Sequence, residues 1–226
     1  MSITLKNKID EIIHNKNGVE IGGPSLRTGD IIYNTVNNID IVVFSNSTVW
    51  FKHTNKYNFA NNKYGNVIIN DTVDITNVPD NHYDFVFSSH ALEHIANPLK
   101  AVKEWLRIVN NGGYIIIIVP EKSFCFDHKR NYTNFSTLLN QYNNNVNEDD
   151  LSTLDEILNN HDLSLDPDAG TFEQFKNRSL DNINNRCLHH YVYNDALLFD
   201  ICNFFNCDFI YNETINIDRW FIMKKK

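Results

Sequence analysis

Apolar residues in the first 120 positions of the chain form two kinds of pattern, one with helical spacing and one with short continuous runs. The segments 3–14 and 98–109 repeat apolar side chains every three or four positions, which predicts a helix over each. Continuous apolar runs are typical of buried strands, and they occur at 19–21, 39–44, 67–69, 85–87 and 114–119. Strands that alternate with helices in this way predict a parallel sheet with helices on both faces.

The chain becomes polar and rich in Asn and Asp from position 121 onwards. This stretch is too short and too polar to bury a core of its own, so we interpret residues 121–190 as a helical lid inserted into the domain. Ordered patterns return with a helix at 195–205 and a closing antiparallel pair at 208–217 and 219–223. The sequence therefore predicts one doubly wound α/β domain over 1–226, with a mainly parallel seven-stranded sheet and a helical lid.

The composition disfavours several classes of protein. With a net charge of -8 and a pI near 5.5, the chain lacks the basic surface on which nucleic-acid binding depends, so we expect no nucleic-acid partner. The four cysteines are widely separated and show no CxxC spacing, which argues against a zinc knuckle or a disulfide framework. The longest apolar run, 115–119, is far too short to cross a bilayer. We therefore expect a cytoplasmic protein without a membrane partner.

The segment Val-Glu-Ile-Gly-Gly-Pro-Ser, at 19–25, leads from the first predicted strand into a turn that contains only Gly22 and Gly23. A dinucleotide loop needs glycines in the pattern G-x-G-x-x-G to bring the backbone close to a pyrophosphate, so such a ligand is disfavoured. An acid on the second strand suits ribose hydroxyls, and the acids that accompany the first three strands are Glu20, Asp40 and Asp71. These carboxylates favour an adenosine-like ligand with positive charge and no phosphate, such as S-adenosylmethionine.

The order of these segments resembles that of the class I S-adenosylmethionine-dependent methyltransferases of the type 11 group. The resemblance covers residues 15–130 and is carried by VEIGGPS, NIDIVVFS, VIINDTVDI, YDFVFSSHALEHIANP and RIVNNGGYIIIIVPEKSFCFDHKR. The later segments EDDLSTLDEILNNHDL and FKNRSLDNINNRCLHHYV resemble a subgroup found with polysaccharide and glycan biosynthesis genes. The family implies a Rossmann-like domain with a cofactor-binding core at 15–120, a substrate-binding lid at 121–190, and a closing helix and strands at 191–226.

The resemblance also implies which residues contact the cofactor. The motif that lines its methionine end corresponds to Glu20, Gly22 and Gly23, and the ribose-binding acid corresponds to Asp40. The segment beside the adenine corresponds to Asp71, Thr72 and Val73. The segment that passes close to the sulfonium corresponds to Ser88, Ser89 and His90. The sequence departs from the family at Gly-Pro-Ser, where a third glycine is usual.

Charged side chains follow the fifth predicted strand, at the edge of the sheet where ligands of open α/β folds bind. They include Asp127, His128 and Arg130, and the pair His189-His190 lies at the far end of the predicted lid. A histidine here could remove a proton from an alcohol acceptor while a carboxylate such as Asp127 holds its other nitrogen. We rank His128 first as this base, then His189 or His190, and assign Arg130 to a carboxylate or phosphate of the acceptor. Surface ion pairs and ordinary surface histidines are the alternative interpretation.

Two further features allow more than one interpretation. Glu93 and His94 suit either a helix start, where they would hydrogen-bond the backbone, or a role in the site. Suitable metal ligands are present without any tight spacing, so we predict no metal site. These candidate ligands are Asp127, His128, His161, Asp162, His189 and His190.

The sequence thus leads to an expected function with named alternatives. We expect S-adenosylmethionine-dependent methylation of a sugar hydroxyl, on a nucleotide-sugar or glycan precursor. The alternatives are transfer to another small molecule, a protein or an RNA, or a partner protein that binds the cofactor without catalysis.

Overall fold

A computed structural model describes residues 2–52, 55–60 and 62–226 of the chain. The strands within these residues are β1 (Asn17–Ile21), β2 (Asn38–Val43), β3 (Lys56–Ala60), β4 (Lys63–Ile69), β5 (Tyr83–Ser89), β6 (Val109–Pro120), β7 (Asp208–Ile215) and β8 (Asp218–Lys224). The helices are α1 (Ile3–Ile13), α2 (Asp30–Tyr33), α3 (Pro98–Ile108), α4 (Phe135–Asn143), α5 (Leu154–Asn160), α6 (Phe172–Leu180), α7 (Asn182–Asn185) and α8 (Asp195–Phe204). All eight described strands join one sheet, in the order β3-β4-β2-β1-β5-β6-β8-β7.

The five central strands of the sheet are parallel. β1 pairs with β2 on one side and with β5 on the other, while β2 pairs with β4 and β5 pairs with β6. The chain therefore builds the sheet outwards in one direction from β1 and then in the other direction from β5. Ligands of open α/β sheets bind at such a switch point, outside the carboxyl ends of the strands.

The antiparallel strands lie at the two edges of the sheet. The predicted closing pair is confirmed, because β8 pairs antiparallel with both β6 and β7. The predicted count of seven strands is corrected to eight within the described residues, because β3 pairs antiparallel with β4 at the opposite edge. Only Phe59 is buried among the five side chains of β3. A strand with one buried side chain has no apolar run from which it could be predicted.

Helices cover both faces of the sheet, as predicted. α1 and α2 lie on one face, where Leu5 and Ile32 pack with Phe85 of β5. α3, α4 and α8 lie on the other face, where Trp105 packs with Val86 of β5. Phe85 and Val86 point to opposite faces because side chains alternate along a strand. None of the described helices has the length and apolar character needed to span a membrane.

Residues 121–190, which we predicted as a lid, divide into two parts. α4 belongs to the main core, since Leu138 is fully buried and the helix packs against α3 and α8. α5 and α6 instead contribute Leu154, Ile157 and Phe175 to a small separate core. The segment is therefore anchored to the domain by α4, and the part that follows α4 builds its own apolar centre.

Candidate active site

A cavity of about 390 Å³ opens at the carboxyl ends of the parallel strands. Its size lies in the range of sites for small organic ligands, and its position is the one that the sheet topology indicates. Strand ends contribute Ile21, Val43, Ser89 and Pro120 to its walls. The predicted site residues that line it are Gly22, Asp71, Thr72, Ser89, His90 and His189.

The turn after β1 forms one wall of the cavity and is braced from behind by Glu20. Gly22 has a φ of +75°, a backbone conformation that glycine adopts readily, and it lines the cavity. The buried Glu20 carboxylate accepts hydrogen bonds from the backbone N–H of Ser25, at 2.9 Å, and from the Tyr33 hydroxyl, at 2.6 Å. A Cβ on Gly23 would lie 2.2 Å from the Glu20 carboxyl carbon. Glu20 and Gly23 therefore shape the turn rather than line the cavity, and burial raises the pKa of Glu20 to about 7.

Asp40, predicted to bind the ribose, lies elsewhere. It sits three positions before the end of β2 at Val43, and the described residues that line the cavity do not include it. Its carboxylate accepts hydrogen bonds from the backbone and side-chain amides of Asn66, at 2.8 and 3.0 Å, and from the Tyr83 hydroxyl at 2.8 Å. The predicted ribose contact is corrected, because ligands bind beyond the strand end, whereas Asp40 joins β2 to β4 and β5 inside the sheet.

Asp71, predicted to lie beside the adenine, does face the cavity. One carboxylate oxygen accepts a hydrogen bond from the backbone N–H of Val73, at 3.2 Å, and the other forms an ion pair with Arg186 at 3.1 Å. Thr72 lines the cavity as well, and its carbonyl accepts a hydrogen bond from the Trp105 indole at 3.2 Å. The Val73 side chain packs against the core of the domain instead. The loop after β4 is thus held in place from both sides.

The segment after β5 brings two of its three predicted residues to the cavity. Ser88 is fully buried within the strand, whereas the Ser89 hydroxyl shares a hydrogen bond of 2.7 Å with Thr28. His90 has a φ of +49°, and its Nε2 lies 2.8 Å from both Asp218 and Arg27. These contacts connect the turn after β1, the end of β5 and the closing strands around the cavity.

Asp127 and His189 form a buried hydrogen-bonded pair at the wall of the cavity. His189 lines the cavity and its Nδ1 lies 2.6 Å from the Asp127 carboxylate, which also accepts a hydrogen bond from Arg130 at 3.0 Å. Burial alone would raise the pKa of Asp127, but the neighbouring His189 and Arg130 lower it to about 2. Burial opposes a charge on His189, yet Asp127 raises the pKa of His189 above its ordinary value. The predicted arrangement of a histidine held by a carboxylate is therefore present at His189.

The other two predicted bases lie away from the cavity. His128 pairs with Asp162, at 2.9 Å, on the surface of the domain. His190 is buried behind the wall, where its ring lies 3.2 Å from the Asn182 amide, and burial lowers its pKa to about 4. Neither ring lines the cavity, which does not fit the prediction that ranked His128 first, whereas the ring of His189 does line it.

Arg130, predicted to hold an anionic group of the acceptor, is instead a structural residue. Its side chain is 1% exposed, and its guanidinium donates hydrogen bonds to Asp127, Glu156 and the backbone carbonyls of His189 and His190. The fork of donors that suits a carboxylate or phosphate is therefore used within the protein. Arg130 fixes Asp127 and the chain around His189 in one arrangement.

Glu93 and His94 line the cavity, which favours a role in the site over a role at a helix start. They lie in a 3₁₀ turn, Leu92–His94, directly after β5. Glu93 is 1% exposed and neither of its carboxylate oxygens has a hydrogen-bond partner among the described residues, so it does not cap a helix. Burial raises the pKa of Glu93 and, together with the nearby histidines, lowers that of His94. The acid and histidine that follow β5 in sequence were the available signal for this part of the site.

The sequence and the structure of the chain are similar to those of known methyltransferases. The methyltransferase domain family matches residues 41–117. A solved S-adenosylmethionine-dependent methyltransferase from Archaeoglobus fulgidus aligns with 98% of this chain and 91% of its own, at 13% identity and a TM-score of 0.51. The chain has a class I methyltransferase fold. A second such methyltransferase, from Aquifex aeolicus, aligns with 99% of this chain and 89% of its own, at 12% identity and a TM-score of 0.50. No curated protein sequence matches the chain.

The methyltransferase fold and the family match together support S-adenosylmethionine-dependent methyl transfer and imply S-adenosylmethionine as the cofactor. The residues of the cavity fit that cofactor. Its sulfonium and ammonium groups are cations, and the carboxylates of Asp71, Glu93 and Glu148 line the cavity. At the end of β1, a Cβ on Gly22 would approach Ala91 to 3.1 Å, so a glycine keeps this part of the cavity open.

Proposed function

We propose that the chain methylates a hydroxyl group of a small, sugar-like acceptor. The observation that supports this acceptor chemistry is the buried Asp127–His189 pair in the cavity wall. An amine with a free lone pair can attack a methyl donor directly, whereas a hydroxyl must lose its proton. A pair that holds one imidazole nitrogen and leaves the other for the acceptor serves the hydroxyl reaction.

Each part of the cavity has a distinct task in this reaction. When bound, S-adenosylmethionine supplies an electrophilic methyl group on a positively charged sulfur. The turn at Gly22 and the loop at Asp71 hold the two ends of the cofactor. Nδ1 of His189 donates to Asp127, so that Nε2 is the atom at which the acceptor hydroxyl is activated. Catalysis of an in-line transfer then depends on alignment of the acceptor oxygen.

The preference for a sugar on a nucleotide-sugar or glycan precursor rests on the resemblance to the glycan-associated subgroup and on charge. The net charge of -8 disfavours RNA as the acceptor. Trp50 and Phe51 line the cavity with aromatic rings, which offer flat apolar faces with polar edges to a ligand. Arg130 is engaged inside the protein, so we assign an acceptor phosphate to Arg27, which lines the cavity, pairs with Asp218 at 2.6 Å and keeps about half of its side chain exposed.

The test is transfer of a labelled methyl group to nucleotide-sugars, amines, peptides and RNA in parallel reactions. We expect label in an ether of a nucleotide-sugar, and loss of that label in His189→Gln and Asp127→Asn. His128→Gln is the matched control, because it changes a histidine that pairs with an aspartate on the surface. Label confined to amines, peptides or RNA would overturn the proposed acceptor, and binding of S-adenosylhomocysteine without transfer to any class would favour the non-catalytic alternative.

A further inference from the structure

Three potential metal ligands converge on the acceptor side of the cavity. One ligand atom each from Glu93, His94 and His189 lies within 4.8 Å of the other two. All three side chains line the cavity. Glu93 and His94 come from the turn after β5, while His189 comes from a segment almost one hundred residues later. Separate parts of the chain therefore meet at one point with donor atoms turned towards each other.

Unpaired polar atoms at this point indicate a missing partner. Both carboxylate oxygens of Glu93 and the Nδ1 of His94 are buried without a hydrogen bond among the described residues. The Nδ1 of His90 lies 3.6 Å from Oε1 of Glu93, beyond hydrogen-bond distance. Buried polar side chains are paired in the large majority of cases, and an unpaired buried carboxylate is costly. A cation between Glu93 and the imidazoles would satisfy these atoms together.

The surroundings hold the three ligands in a fixed arrangement. His189 Nδ1 is bound to Asp127, which leaves Nε2 as the ligating nitrogen, and Asp127 is itself held by Arg130. Histidine ligands of metals usually have such a carboxylate partner on the other nitrogen. In addition, the backbone N–H of His190 donates to the carbonyl of Glu93 at 2.8 Å. This bond connects the two segments that carry the ligands.

We infer that Glu93, His94 and His189 bind a divalent first-row transition-metal ion, such as Zn²⁺, at the acceptor end of the cavity. Two imidazoles and one carboxylate suit such an ion better than Mg²⁺ or Ca²⁺, which prefer oxygen ligands alone. Three protein ligands also leave coordination positions open, as in catalytic zinc sites. This site differs from the metal ligands that the sequence suggested, of which it contains only His189.

The role of the ion in the reaction rests on the proposed function. The acceptor hydroxyl binds to an open position of the ion, which makes its proton more acidic. That proton passes to water as the acceptor oxygen forms its bond to the methyl carbon and the carbon–sulfur bond breaks. The products are a methyl ether and S-adenosylhomocysteine. With the ion bound, Nε2 of His189 is a ligand and does not itself take the proton, so His189 acts on the hydroxyl through the ion, and Asp127 orients His189.

Metal binding is tested directly on the whole, chelator-treated protein. We expect one equivalent of Zn²⁺ by calorimetry, and Co²⁺ to give the absorption spectrum of a site with nitrogen and oxygen ligands. Glu93→Gln, His94→Gln and His189→Gln should each weaken binding by roughly hundredfold or more, and Asp127→Asn by about 10–100-fold. His128→Gln is again the control and should bind as the wild type does. Binding of S-adenosylhomocysteine by each variant verifies that it is folded.

Several results would overturn the inference. Absence of stoichiometric Zn²⁺ and Co²⁺ binding would exclude the site, and so would binding that Glu93→Gln leaves unchanged. Full hydroxyl methylation by the metal-free protein would contradict the role of the ion in catalysis. Stoichiometric binding that depends on Glu93, combined with methylation of amines alone, would confirm the metal site and contradict the proposed acceptor, so the two failures are distinguishable.

Discussion

Two buried glutamates lie at the cavity, Glu20 behind the turn after β1 and Glu93 in the lining, and they differ in what their carboxylates contact. Glu20 is fully buried and accepts hydrogen bonds from Ser25 and Tyr33. Glu93 is almost as deeply buried and has no hydrogen bond among the described residues. Burial raises the pKa of both. A carboxylate whose oxygens accept hydrogen bonds inside the protein therefore shapes a wall of the cavity. A carboxylate whose oxygens have no such partner is available to a ligand.

The largest expected effect concerns Arg130, which donates hydrogen bonds to Asp127 and to the backbone carbonyl of His189. Arg130→Met removes one basic partner of the buried Asp127 carboxylate and leaves His189 as another, and removal of one partner of a buried pair costs about 3–5 kcal/mol. Urea denaturation should show a loss of this size, while Lys129→Met at the exposed neighbouring position should change stability by less than about 0.5 kcal/mol. Normal stability of Arg130→Met with a raised KM for the acceptor would return Arg130 to a substrate-binding role.

The raised pKa of Glu20 should make the stability of the protein depend on pH. The native state raises the pKa of Glu20 from 4.5 to about 7, so it binds more protons than the unfolded state between these values. The contribution of Glu20 to stability is therefore lost as pH rises through this window, by up to about 3 kcal/mol. Glu20→Gln has no such ionisation, and its stability relative to wild type should increase from pH 5 to pH 8. Denaturation curves that shift equally with pH in both proteins would contradict this prediction.

The third prediction contrasts the same conservative change in the two glutamates. Glu93→Gln should lower the methyl-transfer rate by about hundredfold, since it removes a ligand or charge at the reacting end of the cavity. The thermal stability of Glu93→Gln should not fall, because the substitution removes a buried carboxylate that has no hydrogen-bond partner among the described residues and is therefore costly to bury. Glu20→Gln should keep most of the rate. Single-turnover assays measure the rate, and thermal denaturation measures the stability. An equal loss of rate in the two variants would contradict the different roles of Glu20 and Glu93.

The smallest expected effect separates the two aspartates of the cofactor side. Asp71→Asn should weaken the binding of S-adenosylhomocysteine by roughly tenfold, the size of a hydrogen bond to a charged group. Asp40→Asn should leave affinity unchanged and lower stability modestly, because within the described residues the hydrogen bonds of Asp40 come from Asn38, Asn66 and Tyr83 of the sheet. Calorimetry measures the affinity of each variant for S-adenosylhomocysteine. A loss of affinity in Asp40→Asn alone would restore Asp40 as a ribose ligand.

Most of the fold follows from local patterns in the sequence. Buried strands and amphipathic helices leave continuous or periodic apolar residues, so the central strands and the long helices were predictable. β3 was not, because an edge strand with one buried side chain leaves no such pattern. Asp40 shows a different limit, since the apolar run 39–44 places it near the start of the strand, whereas the family resemblance assigned it to the ribose.

The sequence predicted which types of side chain form the candidate site, but not which individual side chains contact one another. A histidine held by a carboxylate was expected, and the structure realises it with Asp127 and His189, 62 positions apart. His128 is closer to Asp127 in sequence, but its ring points to Asp162 on the surface. Glu93 was recognisable as an acid after β5, whereas its lack of a partner is a property of tertiary packing alone. Which side chains meet across distant segments depends on that packing.

The attachment of α4 to the main core has a consequence for how the protein can be modified. Leu138 is fully buried between the helix and the rest of the domain, so residues 121–190 are not a detachable module. Removal of that whole segment to obtain a minimal cofactor-binding protein would uncover an apolar face of α3 and favour aggregation. Exchange of acceptor specificity between homologous chains should therefore place its first junction after Asn143, so that α4 stays with the recipient.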